Sequence, residues 1–259
     1  MNCDSTTCRI ALTYVVPAIG ACTSFGMGVA PLFTVRKIHN AKNLGKFNPL
    51  PFVLTAANAT TWMLYALMVH DYFIYIPQFF TILLGTYYTL RTISYASEEM
   101  KSRMIMAWVA LAGFIHIGGL LSFVVIPDHV NNGAAVGKTV LGVFSTIVLL
   151  SLYASPLSTL YRVVVERNAA SIALPLAFTS LVNGALWFVY GLAIMDHFVW
   201  VPNGAGAILA VVQLVLRFIF KARPVSDIDS ISTSSTAVGS EGRLTPPLED
   251  DQKKPEDMV

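Results

Sequence analysis

NATTWMLYALMVHDYFIYIPQ, residues 58–78, returns 125 positions later as NGALWFVYGLAIMDHFVWVPN, residues 183–203. The register places Asn58 on Asn183, Trp62 on Trp187, Tyr65 on Tyr190, Asp71 on Asp196 and Pro77 on Pro202. Extending it backward superposes Pro31 on Pro156, Leu32 on Leu157 and Thr34 on Thr159. Residues 31–78 share eleven identities with their counterparts, where composition alone gives roughly three. Several involve residue types that are scarce in this chain, so the pattern is read as an internal duplication.

The duplicated unit is apolar. The chain is 55% hydrophobic and 12% charged with a mean hydropathy of +0.63, whereas soluble domains carry about 25% charged residues. Its charges fall between long apolar runs, each long enough for the roughly 20 residues that cross a bilayer core as a helix. Seven spans are predicted: Ile10–Val35, Phe47–Val69, Phe73–Tyr95, Ile105–Ile126, Val136–Tyr161, Ile172–Ile194 and Phe198–Phe220. Met1–Arg9 lacks a basic leader and the run behind it is too long for a signal-peptide core, so the first span is expected to be retained.

Lys and Arg accumulate on the cytoplasmic side of membrane proteins. Arg36, Lys37, Lys42 and Lys46 follow span one, Arg91, Lys101 and Arg103 span three, Arg162 and Arg167 span five, and Arg217, Lys221 and Arg223 span seven. Only Arg9 and Lys138 lie opposite. The expected topology therefore has the N-terminus outside and the C-terminus in the cytoplasm, in the plasma membrane or an internal membrane such as Golgi or vacuole. These basic residues serve topology, and none are left over for nucleic acid.

The expected fold is all-α integral membrane: two parallel three-helix bundles joined by a linker helix, 3+1+3. Its segments are an outer N-terminus over 1–9, a first repeat over 10–96, a linker helix over 105–127, a second repeat over 133–222, and a disordered cytoplasmic tail over 223–259. That tail is rich in Ser, Thr, Pro and acids and cannot bury enough apolar surface to order itself; it is a solubilising, phosphorylated or trafficking segment. Cys3 and Cys8 share the predicted outer side and can pair, while Cys22 lies within a span. One crossing between two three-crossing units makes the copies parallel, and a solute site is expected at their shared seam near the midplane.

An amide four residues before an indole lies on the same helical face, one turn away. Asn58 with Trp62 and Asn183 with Trp187 thus each offer a donor and acceptor beside a flat aromatic surface, as a sugar's hydroxyl edge and C–H face require. An isolated Trp in a span marks the membrane interface and an isolated Asn glues helices; duplication at fixed spacing argues for a shared ligand instead. Apart from the terminal Arg91, Lys138 and Arg217, the spans hold no Asp, Glu, Lys or Arg, and none near the midplane. Ion-coupled transporters need ionisable relays there, so passive uniport is expected. His116 is the exception, but it lies in the linker span outside both repeats.

With these residues the chain resembles the SWEET sugar transporters over about residues 10–222. The resemblance rests on Ala30-Pro31-Leu32 and Ser155-Pro156-Leu157, Leu50-Pro51-Phe52 and Leu174-Pro175-Leu176, the Asn–Trp–Tyr sets, and Val201-Pro202-Asn203-Gly204. That family is itself a known case of parallel repeats. The resemblance implies bidirectional facilitative transport of a mono- or disaccharide by alternating access. It implies that Trp62 and Trp187 flank the sugar, and that Asn203 hydrogen-bonds it with its span-three counterpart, here Gln78. It further implies an inner gate of Pro31, Pro51, Pro156 and Pro175, and a role for Asp196 in an outer gate. Proline's missing N–H and its clash with the preceding turn let a helix bend. Gln78 departs from Asn, and Phe79 and Phe80 stand where the second copy has Gly204 and Ala205, so an asymmetric site is expected and Phe adds bulk if it faces the seam.

The rival readings are a PQ-loop amino-acid exporter and, more remotely, a seven-span receptor. The Pro77-Gln78 dipeptide invites the first, but that group carries its PQ near the cytoplasmic end of each unit's first helix, where this chain has Pro31-Leu32 and Pro156-Leu157. A receptor does not explain the duplication. No catalytic constellation is present in the spans, so neither an enzyme nor a bound cofactor or metal is expected; the partners are a small sugar and the lipid bilayer, with self-association left open.

Overall fold

A computed structural model describes residues 5–45 and 47–220. The expectations for Cys3, Lys46, Lys221 and the tail beyond it lie outside the described residues. Seven helices are long and apolar enough to cross a membrane: α1 (Thr6–Ala41), α2 (Leu50–Val69), α3 (Tyr72–Ile93), α4 (Glu98–His129), α5 (Gly133–Glu166), α6 (Leu174–Ala193) and α7 (His197–Ile219). No strand occurs among the described residues.

Three helices run past the apolar windows read from sequence because charged residues continue them. The fourth starts at Glu98, not Ile105: Ser97 caps it through the Met100 N–H, and Glu98 and Glu99 occupy the first turn, where acids suit the positive end of the helix dipole. Arg103 and Lys101 pair back to Glu99 and Glu98 along the same turns. Likewise α1 continues to Ala41 and α5 to Glu166. Short π turns at Ala11–Val15 and Leu121–Val125 each precede an X-Pro step, at Val16-Pro17 and Ile126-Pro127. A proline lacks the N–H for the i–4 carbonyl and crowds it, and the wider π turn gives that carbonyl room.

The copies share their sharpest local feature. Residue His70 (φ 54°) ends α2, and Asp71 caps α3 by accepting from Phe73 and Ile74 N–H at 2.9 and 3.1 Å. Met195 (φ 55°) follows α6, and Asp196 caps α7 by accepting from Phe198 N–H at 3.1 Å. In both hairpins the aspartate's own N–H reaches back five residues, to the carbonyls of Ala66 and Gly191.

Packing contacts order the helices as a ring: α1 beside α3, α3 beside α2, α2 beside α5, α5 beside α7, α7 beside α6, and α6 back on α1. The bundles meet twice, α2 on α5 and α6 on α1, as two parallel copies about an axis normal to the membrane require. Linker α4 lies against α2 and α5 from outside the ring. Close approach within the hairpins uses small residues, the usual device where no hydrophobic force drives helices together in lipid. A Cβ on Gly191 would stand 2.5 Å from the Trp200 backbone nitrogen, and one on Gly85 3.2 Å from Ala56. Large apolar side chains such as Phe33, Val109 and Phe218 stay on the outer surface, where hydrocarbon is their solvent.

Candidate functional site

Asn58, Trp62, Gln78, Asn183, Trp187 and Asn203 all line one cavity of about 350 Å³ inside the ring. Helical spacing puts each Asn–Trp pair on the inner face of α2 or α6, and Gln78 and Asn203 follow Pro77 and Pro202 in the second turns of α3 and α7. The indoles are nearly buried, Trp62 at 5% and Trp187 at 6% exposure. Each meets the following tyrosine edge-on, Trp62 with Tyr65 at 5.6 Å and Trp187 with Tyr190 at 5.9 Å. Together with Ile74, Leu141 and Val199 they form one apolar cluster that belongs to both bundles.

Beyond that cluster the bundles are tied by two reciprocal bonds. The Tyr65 hydroxyl of α2 donates to Asp196 Oδ2 at 2.6 Å, and the Tyr190 hydroxyl of α6 donates to Asp71 Oδ2 at 2.6 Å. Each carboxylate therefore divides its labour, Oδ1 capping its own helix and Oδ2 holding the other bundle. Lys138 of α5, in the same bundle as Asp196, pairs with Asp196 Oδ2 at 2.8 Å; its counterpart 125 residues earlier is Thr13, which carries no charge to offer Asp71. Charge-assisted hydrogen bonds of this length are the strong ones.

On the opposite side the cavity reaches Pro31 and Pro51, with Gly28, Phe52, Leu84 and Tyr88 along its wall. Pro156 and Pro175 are not part of its lining. Nor do the four prolines share one role in bending. Pro31 follows a break in α1 at Ala30 and Pro156 follows one in α5 at Tyr153. Pro51 and Pro175 instead sit in the first turns of α2 and α6, where a missing N–H costs nothing and no kink results. The uneven lining has a visible cause. Tyr153 occupies the register position of Gly28; its hydroxyl donates to the Pro202 carbonyl at 2.9 Å, and Gly206 makes room, since a Cβ there would collide with that hydroxyl. Phe79 and Phe80 do not add bulk at the seam: they are 44% and 42% exposed and face away from the cavity.

Hydrogen bonding also separates the two copies. Asn183 Oδ1 accepts from Thr23 and Ser24 of α1 at 2.8 Å each, and Trp187 Nε1 donates to Ser24 Oγ at 3.0 Å. Asn58 Oδ1 is buried without a partner. Asn203 Nδ2 donates to the Val199 carbonyl of its own helix at 2.8 Å. His116 bonds the Ala112 carbonyl of its own helix and does not line this cavity. Cys8 is in a disulfide and Cys22 is free.

Sequence reasoning named Tyr65 and Tyr190 only as repeat markers, although a duplicated tyrosine six residues before a duplicated aspartate is the signal of their cross-pairing. Ser24, Thr23 and Tyr153 carried no such signal and Lys138 entered only as a marker of topology, because their counterparts are Leu149, Val148, Gly28 and Thr13 and duplication highlights only what is repeated.

A family model described as "Sugar efflux transporter for intercellular exchange" matches residues 14–100 and 139–224, which are the two repeats. Among similar proteins, "Bidirectional sugar transporter SWEET16" of Oryza sativa subsp. japonica is 26% identical over 210 residues, covering 81% of this chain and 62% of that protein. "Bidirectional sugar transporter SWEET13" of Arabidopsis thaliana is 28% identical, covering 80% of this chain and 70% of its own length. "Bidirectional sugar transporter N3" of Medicago truncatula is 25% identical, covering 81% and 77%. The chain thus spans less than two thirds of the rice relative's length. A eukaryotic SWEET transporter structure determined at 3.7 Å shares the fold, with a TM-score of 0.72 and 21% identity over 81% of this chain and 96% of that one.

Proposed function

We propose, since the chain belongs to the family of sugar efflux transporters for intercellular exchange, that it carries a mono- or disaccharide across its membrane in both directions, as a uniporter working by alternating access. The observation that carries this reading is the convergence of both duplicated Asn–Trp pairs, with Gln78 and Asn203, on one uncharged cavity at the seam of the bundles. Its volume of about 350 Å³ falls at the small end of the roughly 300–1,000 Å³ typical of small-molecule sites. Indole faces meet the sugar's C–H surfaces while the amides of Asn58, Asn183, Gln78 and Asn203 exchange hydrogen bonds with its hydroxyls. The names of the relatives support the substrate class.

Transport then proceeds by breaking one closure and making another. With the Tyr65–Asp196 and Tyr190–Asp71 bonds made, the Trp–Tyr cluster shuts the outer path and the cavity extends toward Pro31 and Pro51, on the face that the basic residues assign to the cytoplasm. Breaking those bonds lets the bundles rock about the breaks at Ala30 and Tyr153, opening the outer path as the proline side closes. No cavity residue is ionisable at neutral pH, which leaves an ion gradient nothing to act on. Orientation with the N-terminus outside, and residence in the plasma membrane, belong to the same proposal.

The test is uptake by proteoliposomes of purified protein from a panel of labelled hexoses, sucrose and amino acids. Saturable sugar uptake with none for amino acids is expected; the reverse selectivity would replace this reading with an amino-acid exporter.

A further inference from the structure

We infer that the two cavity asparagines are unequal partners for the sugar: Ser24 fixes Asn183 as a donor only, while Asn58 remains free to turn and offer its carbonyl. The inference rests on the sugar-transport reading and specifies what the ligand must present.

The argument follows the protons. An indole N–H can only donate, so at 3.0 Å the Ser24 hydroxyl is the acceptor for Trp187 Nε1. Its single proton is then directed at Asn183 Oδ1, 2.8 Å away. Turning the Asn183 amide over would take that acceptor away and strand the serine proton. Thr23 does not decide the orientation, since its single proton lies between Asn183 Oδ1 at 2.8 Å and the Gly20 carbonyl at 2.9 Å, and Ser24 is what sets the amide. The locked amide has its acceptor spent, so what remains for a ligand is the Nδ2 pair of donors.

The first copy lacks this device. Asn58 belongs to α2, which meets α5 at the other bundle junction, and the positions in register with Thr23 and Ser24 are Val148 and Leu149. Neither side chain offers a hydrogen. Leu149 lines the cavity as Ser24 does, and Asn58 Oδ1 is buried with no partner. A stranded buried carbonyl is costly, and a sugar hydroxyl that donates to Asn58 Oδ1 removes that cost. The site therefore pairs a rigid donor with an adaptable amide, and the sugar orients with an acceptor oxygen at Asn183 and a donating hydroxyl at Asn58.

Deoxy and deoxyfluoro sugars separate these demands, because C–F retains a weak acceptor but cannot donate, and C–H does neither. Each analogue of D-glucose competes for labelled D-glucose counterflow in proteoliposomes; sucrose and its analogues take its place if the disaccharide is the one carried. At the hydroxyl that meets Asn183, the fluoro analogue is expected to compete about 3- to 10-fold better than the deoxy analogue, the effect of one neutral hydrogen bond. Ser24→Ala frees the amide and brings that ratio toward one, Ser24→Thr preserves it, and Leu149→Ser creates a second fluoro-tolerant position by locking Asn58. A ratio that Ser24→Ala leaves unchanged, together with no new position in Leu149→Ser, overturns the inference while transport stands. No exchange of either sugar by the wild-type protein overturns the transport reading and this inference together.

Discussion

Replacing Tyr190 with Phe removes one hydroxyl and leaves the rest of its surroundings in place: the ring still meets Trp187 edge-on, and Asp71 still caps α3 through Oδ1. What is lost is the 2.6 Å bond to Asp71 Oδ2 that joins the bundles. A hydrogen bond to a charged group contributes about 1.5–3 kcal/mol. Asp71 meets water in the open form of both proteins, so the loss falls on the closed form and shifts the opening equilibrium by about 10- to 150-fold. Tyr65→Phe is expected to shift it less, since Asp196 keeps Lys138 at 2.8 Å. The assay places a cysteine at Ile74, a cavity-lining member of the apolar cluster, in a Cys22→Ser background. Labelling by a membrane-impermeant maleimide from the outer side then reports opening. Labelling of the Tyr190→Phe protein at the wild-type rate, or a larger increase for Tyr65→Phe, would refute the reasoning.

Trp187→Ala and Asn203→Ala are each expected to abolish sugar flux while surface delivery is retained; wild-type uptake in both would remove these residues from the site. Proton and sodium gradients imposed on proteoliposomes should leave sugar flux unchanged, and uphill accumulation driven by either would show that the cavity couples to an ion. Gly206→Ala should displace the Tyr153 ring and lower stability by about 1–3 kcal/mol, the usual cost of overpacking, visible as a reduced melting temperature in detergent. In a Tyr153→Ala background the same substitution should cost almost nothing further, because the collision is then gone.

The duplication made the bundle architecture and the two Asn–Trp pairs legible, since each pair keeps one helical face at fixed spacing, whereas Gln78 and Asn203 came from the family resemblance. Helix ends were less so: apolar windows stop where hydrocarbon stops, whereas Ser97, Glu98 and Glu99 carry α4 well beyond it. The four prolines looked equivalent because sequence gives residue type but not position within a turn. In the structure, two begin helices and two follow breaks. What distinguishes the copies was least legible. Tyr153 in place of Gly28 and Lys138 in place of Thr13 act on the neighbouring helix of the second bundle, Ser24 in place of Leu149 acts across to the other bundle, and no local spacing rule points from one helix to another.

The most direct test of a single site exposed to one side at a time is counterflow. Vesicles loaded with unlabelled sugar and diluted into a trace of the labelled sugar, with no ion gradient, should accumulate label transiently above equilibrium and then lose it. Monotonic equilibration at the same rate in loaded and empty vesicles would mean an open pore, and would contradict the alternating cavity.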